Sequence, residues 1–553
     1  MMRGLPGRSA LLAVALFAAI APMNAQRREY TRADSLRGGL DTPGRNWWDV
    51  TYYDLEIAVS LADSSIAGRN AISYMVRGAG AELQIDLMTP LVLDSVVQDG
   101  RQLSVRTDGN AHFAAVASQQ AAGTEHTVTA YYHGRPRIAP RPPWDGGFTW
   151  GLDSLGRTWV VTTDQGVGAS IWWPNKDTQA DEPDSQRVAI RVPDPLMQVG
   201  PGRLRSKTPH ADGTTTWEWF VTNPINNYAI ALAIGNYAHW SERYPGEAGW
   251  LTMDYYPLDF HLETARKQWL QARTTMQCFE WWYGPYPFYE DGYKLIEVSN
   301  NGMEHQSAVS YGNGFANGYR GRDGSGTGLG MLFDFIIVHE SAHEWWGNNI
   351  TTRDLADMWV HESFANYSEG LYVECLFGKD AGAEYIRGTR QGIGNRQPIV
   401  PPARGVNAQG SGDMYPKGGN MLHTIRQIID DDALWRDILR GLQRTYRHAI
   451  VDGSDVQNYI SRRAGIDLSR VFDQYLTRTG IPVLEYRWEG NRLSYRWSGV
   501  GEGFDMPIDV TTAPGKVERI TPTTAWQVLD VIDRAAFAVD PDWYVNVNEV
   551  TGS

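Results

Sequence analysis

The run Phe335-Ile336-Ile337-Val338-His339-Glu340-Ser341-Ala342-His343-Glu344-Trp345-Trp346 is apolar except where it carries groups able to do chemistry. Wound as a helix, it sets His339 and His343 one turn apart on one face, a spacing at which two imidazoles can share a metal ion. A tetrahedral catalytic zinc takes three protein ligands and keeps its fourth position for water. The expected third donor is Glu362. Eighteen residues lie between it and His343, room for a turn at Gly347-Asn348-Asn349 and entry into a second helix from Asp357 to about Phe377. Glu340, between the histidines, is then left free as a general base for the activated water.

A His-Glu-x-x-His pentad alone also fits an amphipathic helix with surface histidines. Glu362 at this offset, inside Trp359-Val360-His361-Glu362-Ser363-Phe364-Ala365, removes that reading. The residues resemble the gluzincin metallopeptidases, specifically the zinc aminopeptidases that include aminopeptidase N and leukotriene hydrolase. That family carries a Trp-Leu-Asn-Glu-Gly-Phe-Ala-like run here, from which His361 and Ser363 depart. The resemblance implies one zinc per chain on His339, His343 and Glu362.

Further motifs extend the likeness over most of the chain. Asn301-Gly302-Met303-Glu304-His305 resembles the family's Gly-x-Met-Glu-Asn strand, whose Glu holds the substrate's free α-amino group. A buried carboxylate gives a cationic amine a charge-assisted partner and so registers the first peptide bond over the metal. By the same resemblance Met303 lies along the substrate, and Gln165 also contacts the amine. Tyr415, in Met414-Tyr415-Pro416-Lys417-Gly418-Gly419, matches the family's Tyr-x-Lys-Gly segment, whose phenol hydrogen-bonds the oxyanion. Glu369, seven residues past Glu362, is placed to orient a zinc histidine, with Asn366 as its rival. His305 and His361 are read as non-ligands, Trp172 and Trp173 as core, and Lys417 as a charge neutralising a helix end or a carboxylate.

The 553 residues, 42% hydrophobic and 21% charged, describe a folded chain of several domains. A net charge of −14, with no block of Lys and Arg, disfavours nucleic-acid binding. Residues 1–25 read as a signal peptide: Arg3 and Arg8, an apolar run over 10–20 too short to span a bilayer well, and Ala25 as a small residue for cleavage. The expectation is an exported protein, periplasmic or extracellular, with no membrane span after processing. Cys278 and Cys375 are the only cysteines, and whether they pair is left open.

Residues 26–45 are expected to be an extended lead-in. From Trp47 the hydrophobic period becomes two, as in Tyr53, Leu55, Ile57 and Val59, with a turn at Asp99-Gly100, giving an antiparallel β domain over 46–245. Its Arg135–Pro143 segment reads as a stiff proline-rich surface loop. Residues 246–480 read as a thermolysin-like, mostly helical zinc domain. It opens on a helix from Leu262 to Tyr283 capped by Asp259 and includes a glycine-rich loop over 312–330 beside the site. Residues 481–553, with a hairpin about Gly490-Asn491, read as a small β-sandwich-like domain. The fold class is thus expected to be multidomain α+β, without the large helical domain that ends many members of the resembled family.

The expected function is a zinc aminopeptidase acting on peptides with a free N-terminus. A thermolysin-like endopeptidase sharing the zinc residues and a non-catalytic peptide-binding protein are the alternatives.

Overall fold

A computed structural model describes residues 30–39, 42–531 and 533–550. The expected signal peptide lies outside them.

The alternating strands Trp48–Ser60 and Ser65–Val76 pair antiparallel at the centre of an eight-stranded sheet. Tyr53, Leu55, Ile57 and Ile72, among their inward residues, are at most 3% exposed and share a core with Trp172 and Trp173. That sheet is antiparallel except where Trp48–Ser60 runs parallel to Ser185–Pro193. Long intervening chain makes such a crossover possible. A second, four-stranded sheet holds the hairpin Gly147–Leu152/Thr158–Thr163, which delivers Gln165 to the site just past its last strand. The lead-in is corrected in one respect: Arg32–Gly38 is a short helix. Buried Arg45 supplies the missing donors at its end, bonding the carbonyls of Arg37 at 2.7 Å and Gly39 at 2.9 Å.

A five-stranded sheet follows, in the order Trp240–Gly246, Gly249–Tyr256, Tyr293–Glu297, Val309–Tyr311, Gly302–Met303. Its first hairpin runs across residue 245, where the sequence suggests a domain limit. The single helix expected over 262–283 is two, Leu262–Gln268 and Leu270–Tyr283. Trp269 closes the first at φ −78° and ψ 0°, held in the core by stacking on Trp240 and Tyr255. Asp259 does not cap it, because both its carboxylate oxygens are taken by Arg157 at 2.6 and 2.8 Å.

The helical region packs Phe335–Ala342, Trp359–Phe377, Lys379–Thr389, Pro416–Ile429 and Asp432–Thr445 around one core. The second helix of the site begins at Trp359, two residues later than expected, because Asp357 is bound by Arg404 at 2.7 and 2.8 Å. Cys278 and Cys375 form a disulfide that joins Leu270–Tyr283 to the end of Trp359–Phe377. The hairpin Val483–Glu489/Arg492–Ser498 then opens a pair of small sheets of four and three strands. Among the described residues no helix is long and apolar enough to cross a membrane.

Candidate metal centre and peptide cleft

The helix Phe335–Ala342 starts where Asp334 accepts a bond from the Ile337 amide. Asp334 is itself braced by Tyr311, Gln268 and Asn313 at 2.7–2.8 Å, so the helix start is fixed by a buried, satisfied carboxylate. One turn on, His339 and His343 present their rings 5.0 Å apart, both buried. The His339 Nδ1 donates to Glu369 at 2.8 Å and the His343 Nδ1 to the Trp346 carbonyl at 2.9 Å. Both Nε2 atoms are thereby turned toward Glu362, whose Oε2 lies 3.6 and 3.4 Å from them.

That Oε2 is buried and has no hydrogen-bond partner, an expensive arrangement unless a cation completes it. Two imidazoles and one carboxylate with ligand atoms within 4.8 Å of one another are the donor set zinc accepts, and the residues fit the ion. Glu304, Glu340 and His343 cluster as tightly, but Glu304 is already engaged by protein donors. Burial opposes charge on His343, yet Glu362 and Glu304 lift its pKa to about 9, while His343 and His339 hold the Glu362 carboxyl far below its usual range despite burial. The pocket is electrostatically prepared for positive charge.

Glu369 and Asn366 act together rather than as rivals. Glu369 holds His339, while Asn366 donates to the Glu369 oxygens at 3.2 and 3.3 Å and Tyr385 adds a bond of 2.7 Å. Sequence reasoning missed Tyr385, which sits in an unremarkable amphipathic helix.

Glu340 lines a cavity of about 380 Å³ together with Gln165, Met303, Glu304 and Tyr415. Burial pushes its carboxyl up to about 7. Gly302 lets the strand Gly302–Met303 lie flush on the helix, since a Cβ there would meet Ile336 at 2.9 Å and Glu340 at 3.1 Å. Next along the strand, buried Glu304 receives a hydrogen bond from the Gln165 amide and another from the Tyr228 hydroxyl at 3.3 Å. Tyr228 had no motif to announce it. Burial raises the Glu304 pKa, as the neighbouring Glu362 does in part.

Tyr415 packs its ring 5.9 Å from that of His339, just ahead of the helix Pro416–Ile429. That helix approaches closely because Gly418 and Gly419 carry no Cβ: added ones would meet Ser363 at 1.9 Å and Asn366 at 2.3 Å. Lys417 points away, capping the carbonyl of Arg478 at 2.8 Å beyond the helix Ser469–Thr477. His305 and His361 are buried, kept neutral with pKa values pushed down to about 3, and engaged by Ser310 and Thr352 at 3.0 Å. Neither belongs to the metal cluster. The glycine-rich loop brings Tyr319 and Gly324 to the cavity rim, and Trp144 of the proline-rich loop is there as well.

Residues 331–475 match the Peptidase family M1 domain. Tricorn protease-interacting factor F2 of Thermoplasma volcanium is 24% identical over 328 residues, 55% of this chain and 40% of that protein. Aminopeptidase N of Lactobacillus helveticus is 28% identical over 341 residues, 57% of this chain and 35% of that protein. The matched region thus spans well under half the length of these relatives. In fold, the chain resembles an M1 zinc metallopeptidase from Deinococcus radiodurans, with a TM-score of 0.65–0.66 at 18% identity over 81% of this chain and 98–99% of that one. The helix pair that carries the histidines and Glu362 therefore lies within the stretch that matches the Peptidase family M1 domain.

Proposed function

We propose that this protein is an exported zinc aminopeptidase that removes the first residue of peptides. The observation that carries the reading is Glu304. It is a buried carboxylate beside the metal cluster, held by Gln165 and Tyr228 and in no ion pair with a Lys or Arg among the described residues, where a substrate α-ammonium would sit. An amine anchored there leaves the first peptide bond, and no later one, near Glu340. The names of the relatives support an aminopeptidase. So do the M1 zinc metallopeptidases solved with a Tyr-Ser-Ala substrate and with L-tryptophan.

His339, His343 and Glu362 would hold one zinc ion, which when bound polarises a carbonyl and acidifies water. Glu340, with a pKa near neutrality, takes a proton from the attacking water and passes it to the leaving amine. Tyr415, whose phenol burial keeps protonated, donates to the oxygen that becomes negative. Glu369, by taking the His339 Nδ1 proton in a hydrogen bond, leaves Nε2 as the nitrogen aimed at the site where the ion would bind. Export is supported by the charge and apolar pattern of residues 1–25 and by the Cys278–Cys375 disulfide, which belongs to an oxidising compartment. Metal analysis of the purified protein, with product identification before and after chelation, tests the reading. One zinc per chain and chelator-sensitive release of the first residue are expected; internal cleavage contradicts it.

A further inference from the structure

The proline-rich loop expected at the surface enters the cleft, where Pro143 and the following Trp144 line the cavity. Residues 139–146 are folded back on themselves. The Ala139 amide bonds the Phe148 carbonyl at 3.0 Å, and the Phe148 amide bonds the Arg137 carbonyl at 2.8 Å. Arg137 also donates to the Asp145 carbonyl at 2.8 Å, and Arg141 grips the Asp145 carboxylate at 2.7 and 3.1 Å. The return is tight: a Cβ on Gly147 would meet Ala139 and Arg137 backbone atoms at 2.7 Å, and one on Gly146 would meet Val167 at 2.8 Å.

This loop buries Pro143 but leaves the next residue, Trp144, 65% exposed. An exposed indole on a braced loop is a preformed apolar surface without a partner in the free protein. Its place is set by the sheet. Gly147 pairs with Thr163, two residues before Gln165, so the loop leaving Gly147 lies beside the end of the strand that delivers the Gln165 amide. Pro143 and Trp144 line the same cavity as Gln165 and Glu304. The same cavity is also lined by Met303, Phe335 and Ile336, which are apolar as well.

We propose that Trp144 is the wall on which the side chain of the substrate's first residue packs, making the protein selective for large apolar and aromatic N-terminal residues. The inference rests on the aminopeptidase reading, because the amine held by Gln165 and Glu304 is what places that side chain against the indole. Pro143 and the Arg141–Asp145 pair fix the wall in advance, so little ordering is needed on binding.

The test is binding of L-phenylalaninol and L-alaninol, two amines without a scissile bond, to the zinc-loaded full chain by calorimetry. The wild type is expected to favour phenylalaninol. Trp144→Ala should reduce that preference about tenfold and Trp144→Phe should restore most of it. An unchanged preference in Trp144→Ala, or no preference in the wild type, overturns the wall while leaving the amine site standing. Failure of the wild type to bind either amine overturns the amine site and the wall together.

Discussion

The side-chain amide of Gln165 donates to the buried carboxylate of Glu304 across 139 residues of sequence, linking the end of a β-sheet hairpin to the strand beside the metal cluster. This contact orients a carboxylate that forms no ion pair with a Lys or Arg among the described residues. Glu304→Gln should therefore weaken kcat/KM for free peptides about a hundredfold or more, since a charge-assisted partner is lost in a desolvated site. Tyr228→Phe, which removes a single neutral donor to the same carboxylate, should raise KM up to about tenfold with little change in kcat. Steady-state kinetics on one free peptide check both. A fall confined to kcat would show that Glu304 does something other than hold substrate.

Glu340 and Tyr415 should separate from it in the opposite sense. Glu340→Gln is expected to keep its zinc and lose kcat by about 10³-fold or more, because proton transfer is gone while the ligands stand. Tyr415→Phe should lower kcat about 10²-fold, with KM nearly unchanged, as an interaction made chiefly in the transition state is removed. Metal content measured beside kinetics decides; near-normal turnover in Glu340→Gln contradicts the assignment.

Glu369→Ala frees the His339 ring to turn and to change tautomer. Its zinc affinity, read by competition with a chromogenic chelator, should fall about 10- to 100-fold. Asn366→Ala, acting one bond further away through Glu369, should fall less.

Cys278→Ser opens a loop closed over a sequence separation of 97 residues. Loop entropy sets an upper value of about 4.7 kcal/mol for a loop of this length and observed losses run at about 2–5 kcal/mol, measurable as a lower denaturation midpoint. Reducing agent should leave the variant's midpoint unmoved while lowering that of the wild type.

The clustering of His339, His343 and Glu362 beside Glu340 was legible because helical periodicity fixes the spacing locally: His339 and His343 stand four residues apart, and a turn precedes Glu362. Strand alternation made the β sheet around Tyr53–Val59 equally plain. What stayed hidden depends on tertiary placement. Asp259 looked like a cap, but Arg157, 102 residues earlier, claims it. Trp269 interrupts a periodic helix because aromatic stacking in the core outweighs continued winding. Tyr228 and Trp144 reach the cleft only through the folding of the β domain, and no local pattern marks either. The cysteine pair is bridged because two helices bring it together, a juxtaposition that two isolated positions do not encode.

The most direct test of the central claim compares one peptide with its N-acetylated copy, using the zinc-loaded protein and following products by mass. The account predicts release of the first residue from the free peptide alone, abolished by chelation, because Glu304 and Gln165 must bind an ammonium. Equal cleavage of both copies, or cuts at internal bonds, would contradict it.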